Sequence, residues 1–309
     1  MSENSINSNK KNPSADRLAK WALLLIWAGM LGTSTSSIFV RFSTAPSLVL
    51  AAWRKNFVTL LLLPVVLGKT SYRQELKQLD RKTVLWCLLS GCFLAVHFWT
   101  YFQGVHMTTI AASQVLVGLE VLFVAIILSI TGQEKYSRWA KTGIGIALVG
   151  SVIVAYSRGG FSGGSMLAGN IIEIISAFMI AVYSLIGKKV RSGVSNNVYT
   201  FLVYGTSALV LDLFVLISPY HFTGYGYINY WCALGMAVFC SLMGHSIFNW
   251  ALKYQSPTTL AMIKIIQPVF ASAWAFMLFA EQPLWNHFAG GIIVMLGIFL
   301  YVRHQNAEA

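Results

Sequence analysis

The chain has 309 residues, of which 56% are hydrophobic and only 10% are charged, and its mean hydropathy is +0.65. Soluble domains carry about 25% charged residues, so this composition excludes a soluble enzyme, a disordered chain and a disulfide-stabilised secreted domain. The net charge of +12 comes from basic residues in short segments between long apolar runs, which indicates orientation in a bilayer rather than nucleic-acid binding.

Residues 1–20 are polar and predict a disordered cytoplasmic tail, and residues 304–309 predict a second, short tail. Between them lie ten apolar runs, each with about the 20 residues that a transmembrane helix needs. The sequence therefore predicts an all-α polytopic membrane protein with ten transmembrane helices, at 21–40, 47–67, 83–103, 109–130, 138–156, 167–187, 198–218, 230–251, 258–279 and 285–303.

The basic residues are distributed unequally between the two sides of this predicted bundle. Of the 22 Lys and Arg residues, 17 fall on the side of the two termini, whereas only Arg41 and Arg158 fall on the opposite side. Because cytoplasmic loops are enriched in Lys and Arg, this bias predicts a multi-pass protein of the plasma or inner membrane with both termini in the cytoplasm.

An internal repeat relates the two halves of the chain. A constant shift of 147 residues places the first five spans (21–156) on the last five (167–303), with Gly143 on Gly290 and Gly150 on Gly297. Because each half has an odd number of spans, the second half enters the membrane from the other side. Such inverted repeats are typical of secondary transporters, whose substrate site lies near the midplane between the halves.

Four short motifs follow one another in a fixed order. FVRF at 39–42 ends the first span, and AAWRKNF at 51–57 places Arg54 in the second. In the second half, SPTTLAMIKIIQPVFA at 256–271 precedes Glu281, Pro283 and Gly290 in an E-x-P-x6-G pattern. In these residues the chain resembles the drug/metabolite transporter superfamily, in particular its EamA-type ten-helix exporters, over about residues 20–303.

The resemblance implies export of small metabolites, with or without proton exchange. It also implies that the fifth and tenth spans form a packing or dimer face, so we interpret their glycines as structural. One departure from the family is Val121, which stands where the repeat and many relatives carry the proline seen here as Pro268. The structural glycines are Gly143, Gly145, Gly150, Gly290, Gly291 and Gly297.

Charged residues inside apolar spans are functional candidates, because burying a charge in the bilayer costs several kcal/mol. Glu120 lies in the middle of the fourth span and Lys264 in the ninth, and the repeat places Glu120 opposite Gln267, close to Lys264. We predict that Lys264 binds a carboxylate or phosphate of the substrate and that Glu120 binds an amine or a proton. The alternative is a structural Glu120–Lys264 ion pair.

Polar side chains also share faces of the third and eighth spans. His97 and Tyr101 are four residues apart in the third span, as are His245 and Asn249 in the eighth. One interpretation is a substrate-binding row in each half, with histidine as a proton carrier because it titrates near neutral pH. The other interpretation is hydrogen bonding between packed helices. Tyr183 in the sixth span is a further candidate for the cavity wall.

Four charged residues of the outer half are candidates for gating or structural ion pairs: Arg54, Lys55, Glu173 and Asp212. An alternative for the two basic residues is that they extend along apolar surface and place their charges in the headgroup region. Glu134 and Glu281 lie at span ends that the repeat relates to each other, and for both we predict helix-end capping or gating.

Together these features predict a secondary transporter of small amphipathic metabolites, most simply an amino-acid or metabolite exporter that works by alternating access. The main alternative is an exchanger of anionic metabolites, with Lys264 as the anion site. A more distant alternative is an intramembrane enzyme that uses Glu120 and a histidine. We expect a small-molecule substrate, contact with the lipid bilayer, optional proton coupling, no cofactor, no metal, no nucleic acid, and a monomer or homodimer.

Overall fold

A computed structural model describes residues 13–132, 136–155, 164–251, 267–282 and 284–304. Within these ranges the secondary structure is helical and contains no strand, which confirms the all-α fold class. The helices are α1 (Pro13–Ser34), α2 (Ser36–Phe42), α3 (Ser47–Gly68), α4 (Thr70–Gln78), α5 (Arg81–Met107), α6 (Ile110–Val117), α7 (Glu120–Ile130), α8 (Arg138–Ala155), α9 (Gly164–Val190), α10 (Asn196–Ile217), α11 (Tyr227–Gly235), a π-helix (Met236–His245), α12 (Ser246–Ala251), α13 (Gln267–Phe279) and α14 (Trp285–His304).

Six helical segments among the described residues are long and apolar enough to cross a membrane. Their positions agree with the predicted second, third, fourth, sixth, seventh and eighth spans. Two further apolar helices, Gln267–Phe279 and Trp285–Tyr301, are shorter. The total of ten spans stays a prediction. The six segments are Ser47–Gly68, Arg81–Met107, Ile110–Ile130, Gly164–Val190, Asn196–Ile217 and Tyr227–Ala251.

Three of the predicted spans are divided rather than continuous. The first is divided at Thr35, where the hydroxyls of Thr33, Ser34 and Thr35 each donate to a backbone carbonyl three residues earlier and so compete with the helical pattern. The fourth is divided between α6 and α7. The eighth contains the π-helix, a rare conformation that is frequent at functional sites.

The fifth and tenth predicted spans, α8 and α14, cross at their glycines. A Cβ atom on Gly143 would lie 2.6 Å from the carbonyl oxygen of Gly297, and one on Gly150 would lie 2.8 Å from that of Gly290. Any side chain would therefore collide with backbone, as the sequence predicted for these four glycines. For Gly145 the prediction of a packing role is wrong, because no described atom lies within 4 Å of its Cβ position.

The same crossing shows how the two repeats are related. The shift of 147 residues relates Gly143 to Gly290 and Gly150 to Gly297. It therefore converts the Gly143–Gly297 contact into the Gly150–Gly290 contact. Residue numbers rise along α8 as they fall along α14 at these contacts, so the corresponding helices run antiparallel. This is the relation that an inverted repeat requires.

Candidate functional site

Arg54 is buried in the interior of the bundle, two turns into α3. Its side chain is fully buried, and its Nε donates to Ser241 Oγ (3.0 Å) in the π-helix while its Nη1 donates to Ser36 Oγ (3.0 Å) in α2. Its guanidinium carbon lies 4.2 Å from the centre of the Phe98 ring in α5. Arg54 thus connects three elements that are distant in sequence.

Lys55 is also fully buried, and its surroundings are aromatic. Its Nζ lies 3.8 Å from the centre of the Phe98 ring and 4.3 Å from that of Tyr204 in α10. The Nζ atom is shielded from solvent and makes no hydrogen bond within the part of the chain that the structure describes. The prediction that Arg54 and Lys55 place their charges in the headgroup region is therefore wrong, because both side chains point into the protein.

In the ranges that the structure describes, the predicted ion pairs of Glu173 and Asp212 are not observed. Glu173 is fully buried in α9 and accepts a hydrogen bond of 2.5 Å from Ser113 Oγ. Asp212 accepts one of 2.8 Å from Asn56 Nδ2. Among the described residues no salt bridge joins either carboxylate to Arg54, because hydroxyl and amide groups occupy the positions next to them. A gating role for these residues stays a prediction.

A chain of hydrogen bonds brings together Tyr101 and Gln267, which the sequence had placed in separate helices. Gln114 in α6 donates to the Tyr101 hydroxyl (2.8 Å), and Gln267 at the start of α13 donates to Gln114 Oε1 (3.3 Å). Because Gln114 belongs to the first repeat and Gln267 to the second, this chain links the two halves.

The two predicted histidines have different surroundings. His97 Nδ1 lies 3.0 Å from the Ser176 carbonyl oxygen and 2.9 Å from Ser176 Oγ in α9, which supports the interpretation of hydrogen bonding between packed helices. The His245 ring contacts Phe98 edge-on, with ring centres 5.6 Å apart. His245 therefore lies beside the ring that Arg54 and Lys55 share.

A second polar cluster forms around α9 nearer its C-terminal end. Ser184 donates to Glu120 Oε1 (2.6 Å), and Asn249 donates to the hydroxyl of the neighbouring Tyr183 (3.0 Å). Glu120, Tyr183 and Asn249 are thus brought together as candidates for one site. Lys264, the predicted partner of Glu120, lies outside the described residues.

One end of the bundle is held together by Glu281, which follows α13. Its Oε1 accepts the Ile110 backbone N–H (2.7 Å) at the start of α6, and its Oε2 lies 3.6 Å from Arg41 Nη2 at the end of α2. Arg41 Nη2 also donates to the Thr108 carbonyl (2.9 Å). Glu281 therefore caps a helix, as predicted, although the helix belongs to the other repeat. Glu134 lies outside the described residues.

A cleft of about 670 Å³ lies at this end of the bundle, where α3 begins and α5 ends. Ser47 and Leu48 of α3 line it, together with polar side chains of α5 such as Thr100, Gln103 and His106. Because seven residues make almost two helical turns, Ser47 and Leu48 lie on the same face of α3 as Arg54 and Lys55, about 10 Å above them.

Sequence reasoning missed several of the residues that build these contacts. Gln114 could have been found, because it is an amide within an apolar span, as Glu120 is a carboxylate within the same span. Ser36, Phe98 and Tyr204 carry no comparable signal, because serines and aromatic residues are common in membrane helices. In the described part of the chain, no group of three or more His, Cys, Asp and Glu side chains could hold a metal ion.

The amino-acid sequence is similar to a known family of transporters and to several of their individual members. The model of the EamA-like transporter family matches residues 20–156 and again residues 167–303. An uncharacterized transporter of Archaeoglobus fulgidus is 24% identical over 221 residues, which cover 71% of this chain and 75% of that protein. The pseudopaline exporter CntI of Pseudomonas aeruginosa is 22% identical over 292 residues, which cover 93% and 98% of the two chains.

A solved crystal structure has the same fold. It aligns with a TM-score of 0.66 at 14% sequence identity, over 94% of this chain and 99% of the other. The two folds therefore agree over nearly the whole length of both chains.

Proposed function

Because the chain belongs to the EamA-like transporter family, we propose that it is a secondary transporter that exports small amphipathic metabolites, amino acids or their relatives, by alternating access. The antiparallel crossing of α8 and α14 is the observation that carries this proposal. Corresponding helices that run in opposite directions allow two halves to open a shared site to each side of the membrane in turn.

Polar contacts between the repeats supply the groups that a substrate would meet. The Gln114–Gln267, Glu120–Ser184 and Arg54–Ser241 hydrogen bonds each join a residue of the first repeat to one of the second. In this proposal the contacts near the centre loosen when substrate enters, since its own polar groups replace them. The Arg41–Glu281 contact at the bundle end breaks when that end opens.

Export as the direction is supported by the relative named as a pseudopaline exporter, although pseudopaline is the cargo of that protein. The bias of basic residues supports a cell-membrane location with both termini in the cytoplasm. Export then carries substrate from the side of the termini to the side where Glu281 lies.

Glu120 is the candidate residue for binding the amine of the substrate or a coupled proton. It is half-buried, and Ser184 already donates to one of its oxygens. We propose that Lys264 lies close enough to exchange contacts with it, as the repeat suggests. A double exchange, Glu120→Lys with Lys264→Glu, tests whether the two form a structural pair: restored transport supports the pair, and no recovery supports separate roles.

The function is tested by reconstituting the purified protein into liposomes loaded with an isotope-labelled amino-acid mixture. We expect release of at least one amino acid faster than from loaded liposomes that contain no protein. Gln267→Ala removes a hydrogen bond between repeats and should slow release by about tenfold, equivalent to about 1.4 kcal/mol. Gln74→Ala on the exposed face of α4 is the matched control and should release normally. The proposal would be refuted if every amino acid and carboxylate tried were released no faster than from loaded, protein-free liposomes.

A further inference from the structure

Arg54 and Lys55 together have more hydrogen-bond donors than the protein satisfies. Arg54 uses Nε and Nη1, but among the described residues its Nη2 has no hydrogen-bond partner, and neither has the Nζ of Lys55. Both atoms are buried. Since a guanidinium Nη carries two N–H groups and an ammonium three, two neighbouring cations offer a set of unused donors in the protein interior.

The immediate surroundings do not neutralise these charges. A cation–π contact with an aromatic ring returns less free energy than the burial of an unpaired charge costs. In the described part of the chain, no carboxylate forms a salt bridge with either residue. Such a costly arrangement is retained in membrane helices where it serves a ligand.

We propose that Arg54 Nη2 and Lys55 Nζ together bind a carboxylate group of the transported metabolite. This inference rests on the proposed function and identifies the substrate class. A carboxylate accepts several hydrogen bonds at once, and arginine matches its planar geometry. Phe98 and Tyr204, which already contact the two cations, would then flank the apolar part of the same metabolite.

The position of the pair suits a ligand that arrives from the bundle end. Ser47 and Leu48 line the cleft two turns above the pair on the same face of α3, and Ala51 lies between them. All three side chains are buried, so a ligand would reach the pair from the cleft when this end of the bundle opens. The bundle-end contact between Arg41 and Glu281 lies at the same end.

The first test uses the wild-type protein and needs no knowledge of the natural substrate. Thermal unfolding of the detergent-purified protein is followed with phenylacetate, succinate and chloride, and with the neutral amides phenylacetamide and succinamide. We expect at least one carboxylate to raise the Tm by about 2–4 °C, with no rise for its amide. Equal effects of acid and amide, equal effects of chloride, or no effect of either carboxylate would overturn the inference.

The second test uses Lys55→Met, which keeps the length of the side chain and removes its charge. We expect the Tm without ligand to rise, because an unpaired buried charge is removed, and the carboxylate effect to disappear. Lys69→Met is the matched control, because Lys69 also lies over an aromatic ring, Tyr72, but is exposed. A lower Tm for Lys55→Met, or a carboxylate effect that persists in it, would contradict the inference; if the variant does not fold, the wild-type comparison decides.

Liposome assays separate this inference from the proposed function. If the wild-type protein transports a carboxylate and Lys55→Met transports it equally well, the transporter assignment stands and the binding site is wrong. If carboxylates stabilise the wild-type protein but no metabolite moves, the binding site stands and the transporter assignment is wrong.

Discussion

Glu281 shows how one side chain can serve two elements that are far apart in sequence. One carboxylate oxygen accepts the Ile110 N–H, which would otherwise lack a partner in the first turn of α6, and the other lies near Arg41. The side chains of Arg41 and Glu281 keep 30% and 17% of their surface exposed, so we expect the cap to contribute more than the ion pair.

Substitutions at Glu281 separate these two contributions. Glu281→Gln keeps an oxygen that can accept from Ile110 but loses the charge, so it should destabilise the protein by at most about 0.5 kcal/mol. Glu281→Ala loses both contacts and should cost about 1 kcal/mol or more. Thermal unfolding of both variants measures the difference. Equal destabilisation by the two substitutions would mean that the ion pair, and not the cap, dominates.

At the residue scale, the sequence predicted which side chains are unusual better than where they point. Arg54, Lys55 and Glu173 stand out because charges are rare in apolar spans, and all three are fully buried. Whether a lysine reaches towards the headgroups or into the bundle depends on the rotation of its helix and on what packs against it. Phe98 and Tyr204, the rings that receive Lys55, come from other helices, so no local pattern could reveal them.

The start of α5 is fixed by Asp80, which caps it. The Asp80 carboxylate accepts hydrogen bonds from the N–H groups of Lys82 (3.1 Å) and Thr83 (3.2 Å). Hydrogen bonding from the Thr83 side chain, together with these backbone bonds, holds the pKa of Asp80 below its ordinary value of 3.8. The folded state therefore favours the ionised carboxylate.

This lowered pKa predicts a defined pH dependence. A carboxyl group whose pKa is lowered by folding stabilises the protein fully above its ordinary pKa, and this contribution is lost as the pH falls through the folded-state value. Asp80→Ala should therefore lower the Tm at pH 7, and the difference from wild type should shrink below pH 3.8. Parallel Tm measurements from pH 7 to pH 3 check this; a constant difference would contradict it.

The crossing of α8 and α14 also makes a sharp prediction. A Cβ on Gly150 would lie 2.7 Å from the Val294 nitrogen and 2.8 Å from the Gly290 oxygen, both of which are backbone atoms. Gly150→Ala should therefore destabilise the protein by about 1–3 kcal/mol. Gly145→Ala on the same helix meets nothing within 4 Å and should leave the Tm unchanged or slightly higher, because alanine favours helix.

At the element scale, apolar run lengths were sufficient to predict six long helices but not their interruptions. The breaks near Thr35 and Gly118, and the π-helix at 236–245, lie within continuous apolar sequence. They depend on local competition for backbone hydrogen bonds and on packing against neighbouring helices. Hydropathy does not report either effect.

At the scale of the whole molecule, the repeat was the most informative signal in the sequence. A constant shift of 147 residues anticipated the antiparallel relation of α8 and α14 and the exchange of their glycine contacts. The polar interior was less predictable, because it does not follow the repeat. The shift places Phe201 opposite Arg54 and Leu202 opposite Lys55, so the second half has no counterpart of these two buried cations.

A binding site built mainly from one half can still be opened to each side of the membrane by corresponding movements of the two halves. In the proposed alternating-access mechanism the two halves move relative to each other, whereas substrate recognition requires only one set of polar groups. We expect this mechanism to require that the Arg41–Glu281 contact break during each cycle, because it ties the end of α2 to the segment after α13.

The most direct test of alternating access is to measure transport while the bundle end at Arg41 and Glu281 is held closed by a reversible cross-link. Arg41→Cys and Glu281→Cys would be combined, joined by a cleavable bifunctional thiol reagent, and assayed in liposomes before and after reduction. Each single variant controls for reaction at the partly exposed native Cys92. We predict that cross-linking stops metabolite release and that reduction restores it. Undiminished release from fully cross-linked protein would contradict the account.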